Sequence, residues 1–288
     1  MTEHVSCNLC GADDCFVIAE QDTSTKQHLS VVQCRRCGLM YTSPRLKAED
    51  LALLYGADSY AENTASGAFC LDPRLNERRF DNCLTYLRRT QRRDGILLDV
   101  GCGTGAFLTT VANNLSWTVH GLEMSDYAYA EAQRLFGDKI KHCTLGEARF
   151  APRSFDAITM WNVLEHVQDP LGVLVEAKRV LKDDGVIVVA VPNLHLHRLR
   201  FSVDRILFQK RPNWHMAEHL YHFTPRTFRQ LATTAGLVVK KQTLSTPFMI
   251  GGSFENLVKR VGFRTLSTVF TLTGIHLGGG IEMYLTKQ

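Results

Sequence analysis

Leu97–Phe107 reads LLDVGCGTGAF, a short apolar run that carries one acid and then breaks into Gly-x-Gly-x-Gly. The run is too short for a helix and suits a buried strand. The glycines suit the turn that carries a parallel strand into a helix. Glycine is required where backbone approaches a ligand closely, because it has no Cβ and accepts positive φ. The helix that follows directs free N–H groups at any anion lying over the turn. In an open parallel sheet the ligand sits at the carboxyl ends of the strands, where the strand order reverses. Asp99, Gly101, Cys102, Gly103 and Gly105 are therefore expected to line a binding site.

Outward from this stretch, strand and helix signals alternate between Ile96 and about Asn193. ILLDV, WTVHGLE, KIKHC, FDAITMW and VIVVAVP read as strands. The helices between them are GAFLTTVANNL, SDYAYAEAQRLFG and DPLGVLVEAKRVLKDDG. Ser125 and Gly137 bound the second helix, Asp169 and Pro170 open the third, and Gly185 reads as its stop. Upstream, the pattern predicts a helix opening at Asp72 and Pro73 and stopping at Gly95. Downstream come a helix capped by Thr224, a strand LVVKKQTL, a helix over about 254–272 and a last strand IEMYLTKQ. The alternation predicts an α/β fold with right-handed crossovers and helices on both faces of a parallel sheet. The last two strands are expected to close one sheet edge in antiparallel fashion.

Two ligand chemistries fit the glycine turn. A dinucleotide would place its pyrophosphate there, and Glu123, ending the next strand, would accept the ribose hydroxyls. Asp99 decides between them, because a carboxylate opposes a pyrophosphate and suits a cationic group. S-adenosylmethionine carries an ammonium, a carboxylate and a ribose, and no phosphate. LLDVGCGTGAF, HGLEMS and FDAITMWNVLEHVQDP together resemble the successive signatures of class I S-adenosylmethionine-dependent methyltransferases, over roughly residues 94–193. The resemblance implies a doubly wound, seven-stranded, mostly parallel, Rossmann-like sheet. It also implies a cofactor set that adds Glu123, Met124, Leu145, Gly146, Trp161 and Asn162 to the turn residues.

Methyl transfer is an in-line displacement in which the cofactor supplies the reactivity and the protein aligns the acceptor. An oxygen acceptor also calls for a base. His166 in LEHVQDP and His219 and His222 in EHLYHFTP are the catalytic candidates, since a neutral imidazole suits proton removal. His215 and His219 stand at i and i+4, but no third metal ligand follows at a diagnostic spacing.

Five of the nine cysteines fall before Pro44. Cys7, Cys10, Cys34 and Cys37 form C-x2-C pairs, each followed by glycine, the arrangement of a structural zinc ribbon with four thiolates and no open position. The ribbon ahead of such a core is similar to bacterial methyltransferases of sugar, polysaccharide or secondary-metabolite pathways. The expected organisation is a ribbon over 1–44, a helical linker over 45–94 and a methyltransferase domain over 95–288. Helical lid elements are expected near 195–235 and 252–273.

A formal charge of +4 over 288 residues falls short of the concentrated positive field of a nucleic-acid binder. A small-molecule acceptor is therefore the expected partner. An RNA methyltransferase gripping RNA through the ribbon is the alternative, with Arg74, Arg78, Arg79, Arg88, Arg89, Arg92 and Arg93 on one helix. That run reads first as a solvated face. The sequence shows no secretory signal and no run of about 20 apolar residues, so a cytoplasmic protein is expected. The late helix offers a face for a core or a homodimer.

Overall fold

A computed structural model describes residues 1–22, 27–54, 77–90, 94–195, 214–246, 253–273, 276 and 278–288. The chain opens with β1 (Thr2–Glu3), β2 (Cys15–Asp22), β3 (His28–Cys34), β4 (Met40–Thr42), β5 (Arg45–Leu46) and α1 (Ala48–Leu54). A 3-10 turn, Glu77–Phe80, leads into α2 (Asp81–Arg89). The positions of Asp72 and Pro73, expected to open this helix, lie outside the described residues.

The alternating section follows as expected. It comprises β6 (Ile96–Val100), α3 (Ala106–Asn114), β7 (Thr118–Leu122), α4 (Asp126–Phe136) and β8 (Ile140–Lys141). It continues with β9 (Phe155–Trp161), α5 (Pro170–Val180) and β10 (Leu181–Pro192). The remaining elements are β11 (Tyr221–His222), α6 (Pro225–Thr234), β12 (Leu237–Leu244), α7 (Ser253–Thr273) and β13 (Gly280–Lys287).

Seven strands form one sheet in the order β12-β13-β10-β9-β6-β7-β8. The pairs β6–β7, β6–β9, β7–β8 and β9–β10 are parallel, and β13 runs antiparallel to both neighbours. Strand order reverses at β6, whose neighbours are β7 and β9, so the glycine turn sits at the switch point. Alternate residues serve opposite faces. Leu98, Ile187 and Val189 pack in one core with Leu174 and Ala177 of α5 and Phe228 and Leu231 of α6. Leu97, Val186 and Val188 pack in the other with Leu84 and Leu87 of α2, Leu108 and Val111 of α3 and Ala132 of α4. The sheet is thus covered on both sides, which is why its central strands read as continuous apolar runs.

Three local readings change. α2 ends at Arg89, with Thr90 at its C-cap, before the expected stop at Gly95. α5 ends at Val180, before Gly185, because Leu181 is already extended and pairs with Phe155. Gly185 instead serves the register shift between Leu181 and Val186, where a Cβ would lie 2.9 Å from the Asp156 carbonyl oxygen. Ser125 holds the N-cap position of α4, but its hydroxyl makes no cap bond. The caps of α5 and α6 are as expected, with Asp169 accepting from Gly172 N and Thr224 from Thr227 N.

The cysteine-bearing sheet has the order β11-β4-β3-β2, so its edge strand comes from Tyr221–His222, far along the chain. Thr42 N donates to the Leu220 carbonyl at 2.9 Å and its hydroxyl to the His219 carbonyl at 3.1 Å. Asn8, inside the first C-x2-C loop, donates to Asp169 Oδ1 at 2.8 Å and accepts from Leu171 N at 3.0 Å. The cysteine region is therefore fastened both to the start of α5 and to the histidine segment. Among the described residues, no helix is long and apolar enough to cross a membrane.

Glu282 lies fully buried in β13, accepting from Asn82 Nδ2 at 3.5 Å and from the Tyr284 hydroxyl. Burial pushes its carboxyl from the ordinary 4.5 to about 7. The folded protein thus holds a proton that the unfolded chain has released. This contribution is complete below pH 4.5 and is lost as pH rises through 7. Glu282→Gln removes the dependence. Urea unfolding at about pH 5 and about pH 8 is expected to shift the stability difference in the variant's favour by as much as ~3 kcal/mol at the higher pH.

Candidate active site

The glycine turn is shaped by close contacts. Gly101, Gly103 and Gly105 have φ of 69°, 54° and 85°. A Cβ on Gly101 would lie 2.6 Å from Val163 Cγ2, and one on Gly105 would lie 2.8 Å from the Phe136 ring. Gly101 N and Cys102 N both donate to the Leu122 carbonyl, tying the turn to the end of β7. The Cys102 side chain is buried against Gly121 and Ile140, so only its backbone belongs to the turn.

Glu123 spans this turn. Its Oε2 accepts from Gly103 N at 2.8 Å, and its Oε1 from Met124 N at 2.9 Å and Ser125 N at 2.8 Å. Three backbone donors fix the carboxylate, leaving part of its acceptor capacity on Oε2 for a hydroxyl. The Met124 side chain is exposed.

Asp99 is 1% exposed, paired across the sheet with Thr159, whose hydroxyl donates to Asp99 Oδ1 at 2.6 Å. Burial pushes its carboxyl well above the usual carboxylate range, and the nearby Glu123 adds to the shift. The Thr159 hydrogen bond and the Arg79 charge hold it back. Trp161 forms an aromatic trio with Phe80 and Phe107, at ring-centroid distances of 4.9 Å and 5.1 Å. Its buried indole Nε1 has no hydrogen-bond partner among the described residues. Leu145 is buried in the core, and Gly146 borders open space.

Asn162, at a φ of 58°, links two charged groups. Its Oδ1 accepts from Arg79 Nη2 at 2.5 Å and its Nδ2 donates to Glu165 Oε1 at 3.1 Å. Arg79 and Glu165 were not among the expected site residues. The acid in LEHV is a visible signal for the second, whereas nothing in the arginine run separates Arg79 from its neighbours. Arg88 meets Asn114 at 2.9 Å, so this part of the run also serves contacts within the chain.

The expected histidines do assemble. His166 and His219 have ring centroids 4.8 Å apart, and His219 and His222 lie 6.3 Å apart. Burial lowers His166 to about 4, so its imidazole is neutral at ordinary pH. Glu165 is 1% exposed and pushed up to about 7 by burial.

The four expected cysteine ligands also converge, with all Sγ atoms within 4.8 Å of one another. Cys7 and Cys37 Sγ lie 3.4 Å apart, and Cys10 and Cys34 Sγ 3.6 Å. Those spacings exceed any disulfide and approach the ~3.8 Å edge of a tetrahedron with metal–sulfur bonds of about 2.3 Å. Gly11 N and Gly38 N close the two knuckles on the Cys7 and Cys34 carbonyls. The donor set fits zinc.

The family described as a methyltransferase domain matches residues 74–242. This chain belongs to that family. Over 113 residues it is 30% identical to a ubiquinone biosynthesis O-methyltransferase of Neisseria meningitidis serogroup A, covering 35% of this chain and 47% of that one. It is 38% identical over 96 residues to a demethylmenaquinone methyltransferase of Tropheryma whipplei, covering 32% and 40%. The chain thus spans about half the length of the curated relatives it matches. Its fold is shared with the 1,6-didemethyltoxoflavin-N1-methyltransferase of Burkholderia thailandensis, solved with S-adenosylhomocysteine, at a TM-score of 0.55 and 14% identity over 94% of this chain and all of that one. The methyltransferase family and its seven-stranded class I fold therefore agree with the sequence expectation.

The contact between Gly101 and Val163 in this methyltransferase is testable by stability. Gly101→Ala is expected to cost about 1–3 kcal/mol, combining positive-φ strain with overpacking. Val163→Ala in the same chain is expected to recover part of that loss, measured by chemical denaturation as a non-additive pair.

Proposed function

We propose that this methyltransferase transfers the methyl group of S-adenosylmethionine to an oxygen of a small-molecule acceptor, in the class of sugars, polysaccharide precursors or secondary metabolites. The observation that carries the reading is Glu123 held across the glycine turn by three backbone N–H groups, beside the buried Asp99. A carboxyl raised by burial returns to its charged form beside a cation, so Asp99 favours an ammonium and disfavours a pyrophosphate. Gly101, Gly103, Gly105 and the Cys102 backbone would lie along the amino-acid part of the cofactor. Glu123 and Met124 would serve the ribose, and Leu145, Gly146, Trp161 and Asn162 would border the remainder.

The bound cofactor supplies the sulfonium methyl. The chain's own groups orient the acceptor and handle its proton. His219 and His222 are the proton acceptors in this reading, because His166 at about 4 is a weak base that serves better as a neutral anchor. The name of the Neisseria relative, an O-methyltransferase, supports an oxygen acceptor. Exposed Val261 and Leu272 on α7 support an additional surface for a second copy.

Cys7, Cys10, Cys34 and Cys37 would hold a structural zinc ion, saturating its coordination and leaving it no part in chemistry. Its role would be to fix β4, which carries β11 and so the histidine segment.

Two measurements test these assignments. Titration calorimetry is expected to show S-adenosylhomocysteine binding and no NAD binding, with Glu123→Ala weakening the former about tenfold or more, equivalent to at least ~1.4 kcal/mol. Elemental analysis is expected to find one zinc per chain and none in a Cys7→Ser, Cys37→Ser double variant. A metal-free wild type with native thermal stability would remove the zinc assignment.

A further inference from the structure

Cys15 is the fifth cysteine of the front region and stands outside the four-thiolate cluster. It opens β2 directly opposite Cys34 of β3, in antiparallel register. Cys34 N donates to the Leu39 carbonyl at 2.9 Å and its carbonyl accepts from Gly38 N at 3.0 Å, so its backbone polar groups face β4 and turn away from β2. The neighbouring Arg35 N donates to the Asp14 carbonyl at 3.0 Å, which makes that next pair the hydrogen-bonded one. Cys15 and Cys34 therefore form a non-hydrogen-bonded pair, with both side chains on one face. The buried Tyr41 hydroxyl lies near Cys15, Cys7 and Cys34 alike, so the fifth thiol shares that side of the sheet with two of the expected zinc ligands.

Residues directly opposite in such a pair have Cα atoms about 4.5 Å apart, within the roughly 4.4–6.8 Å that a disulfide spans. Cys34 is buried and Cys15 is partly exposed. β2 is the edge strand of its sheet, so a small oxidant reaches Cys15 without any opening of the core. Oxidants act on thiolates, and the sulfenic acid that forms is captured by a thiol standing next to it. A spare thiol set across the ladder from a metal-binding one has the placement of such a capturing group.

We propose that Cys15 is a redox modification site, the resolving thiol for oxidation of Cys34 by a hydroperoxide. The Cys34 thiolate attacks one peroxide oxygen, the oxygen–oxygen bond breaks, and hydroxide leaves behind a Cys34 sulfenic acid. The Cys15 sulfur then attacks the Cys34 sulfur, the sulfur–oxygen bond breaks, and the hydroxyl departs as water with the Cys15 proton. The two sulfurs are oxidised to a disulfide and the peroxide is reduced. Cys7, Cys10 and Cys37 alone no longer close the zinc coordination, and the Cys34–Gly38 knuckle ahead of β4 loosens. β4 carries β11, so the oxidation is felt at the histidine segment. The inference rests on the zinc assignment for its consequence, and on the cross-strand pair alone for the disulfide.

The test reduces the full chain, measures its zinc content and then adds hydrogen peroxide. Zinc release is followed with a metallochromic dye, and disulfides are mapped by mass spectrometry of alkylated peptides. A Cys15–Cys34 bridge that appears together with zinc release, and that dithiothreitol with added zinc reverses, is expected. Cys15→Ser should hold its zinc before treatment, with circular dichroism checking its fold. Its Cys34 sulfenic acid has no neighbour to capture it and proceeds to the sulfinic acid, so dithiothreitol should restore about half of the zinc or less. Absence of the Cys15–Cys34 bridge in the wild type, a Cys34 bridge to Cys10 or Cys37 in its place, or full recovery of zinc by the variant would overturn the proposal. The zinc reading fails separately: a reduced chain without zinc removes the release step, while the mapped bridge still decides whether Cys15 captures Cys34.

Discussion

Gly101 has room for a hydrogen atom and nothing larger, because Val163 presses on it from the loop after β9. That contact sets the distance between the two halves of the site. On one side lies the glycine turn with Glu123 across it, and on the other lie Asn162, Glu165 and His166. A side chain at position 101 would have to separate the two strand ends, and the switch point between β6 and β9 is where they must meet. The left-handed backbone at Gly101 and the missing Cβ serve the same end. The turn can pass under the β9 loop and still direct its N–H groups toward Leu122.

The histidines depend on a second constraint, supplied from the front of the chain. His219 and His222 sit on a segment with only two residues of strand, too short to hold its own position. Its register comes from β4, through the pairs Tyr221 with Tyr41 and His222 with Met40 and through the two Thr42 hydrogen bonds. The cysteine region is in turn held by Asn8 at the start of α5 and by Arg45, which donates to the Gln168 carbonyl at 3.1 Å. Loosening the cysteine knuckles would therefore be felt at the histidines without any direct contact between thiolate and imidazole.

What could be read from the residues were the features with short-range causes. Periodicity marked the strands from β6 to β10, and Asp169 and Thr224 announced their helices because a cap acts within three residues. The four cysteines declared themselves by spacing and converge as that spacing requires. What stayed hidden was set by long-range contact. β11 is visible as a strand only through its partner β4, formed 180 residues earlier. Arg79 looks like any of its neighbours until the 3-10 turn aims it at Asn162. Gly185 resembles a helix stop because glycine serves both helix ends and close approaches, and the chain chose the approach beside Asp156.

Electrostatics ties these parts together. Asp99, Glu165 and Glu282 are all buried, and burial raises each one. Arg79 is a cation whose field lowers all three. A guanidinium shared among three buried carboxyls cannot neutralise them together, and Lys241 assists only at Glu282 among these. Among the described residues, the positive charge beside these three carboxyls is thus limited, and burial favours the protonated form of each. A ligand bringing positive charge to Asp99 would let that carboxyl ionise and strengthen its own binding in doing so. A pyrophosphate would deepen the deficit. The same reasoning extends to Glu165, where Arg79 acts through Asn162 rather than by contact.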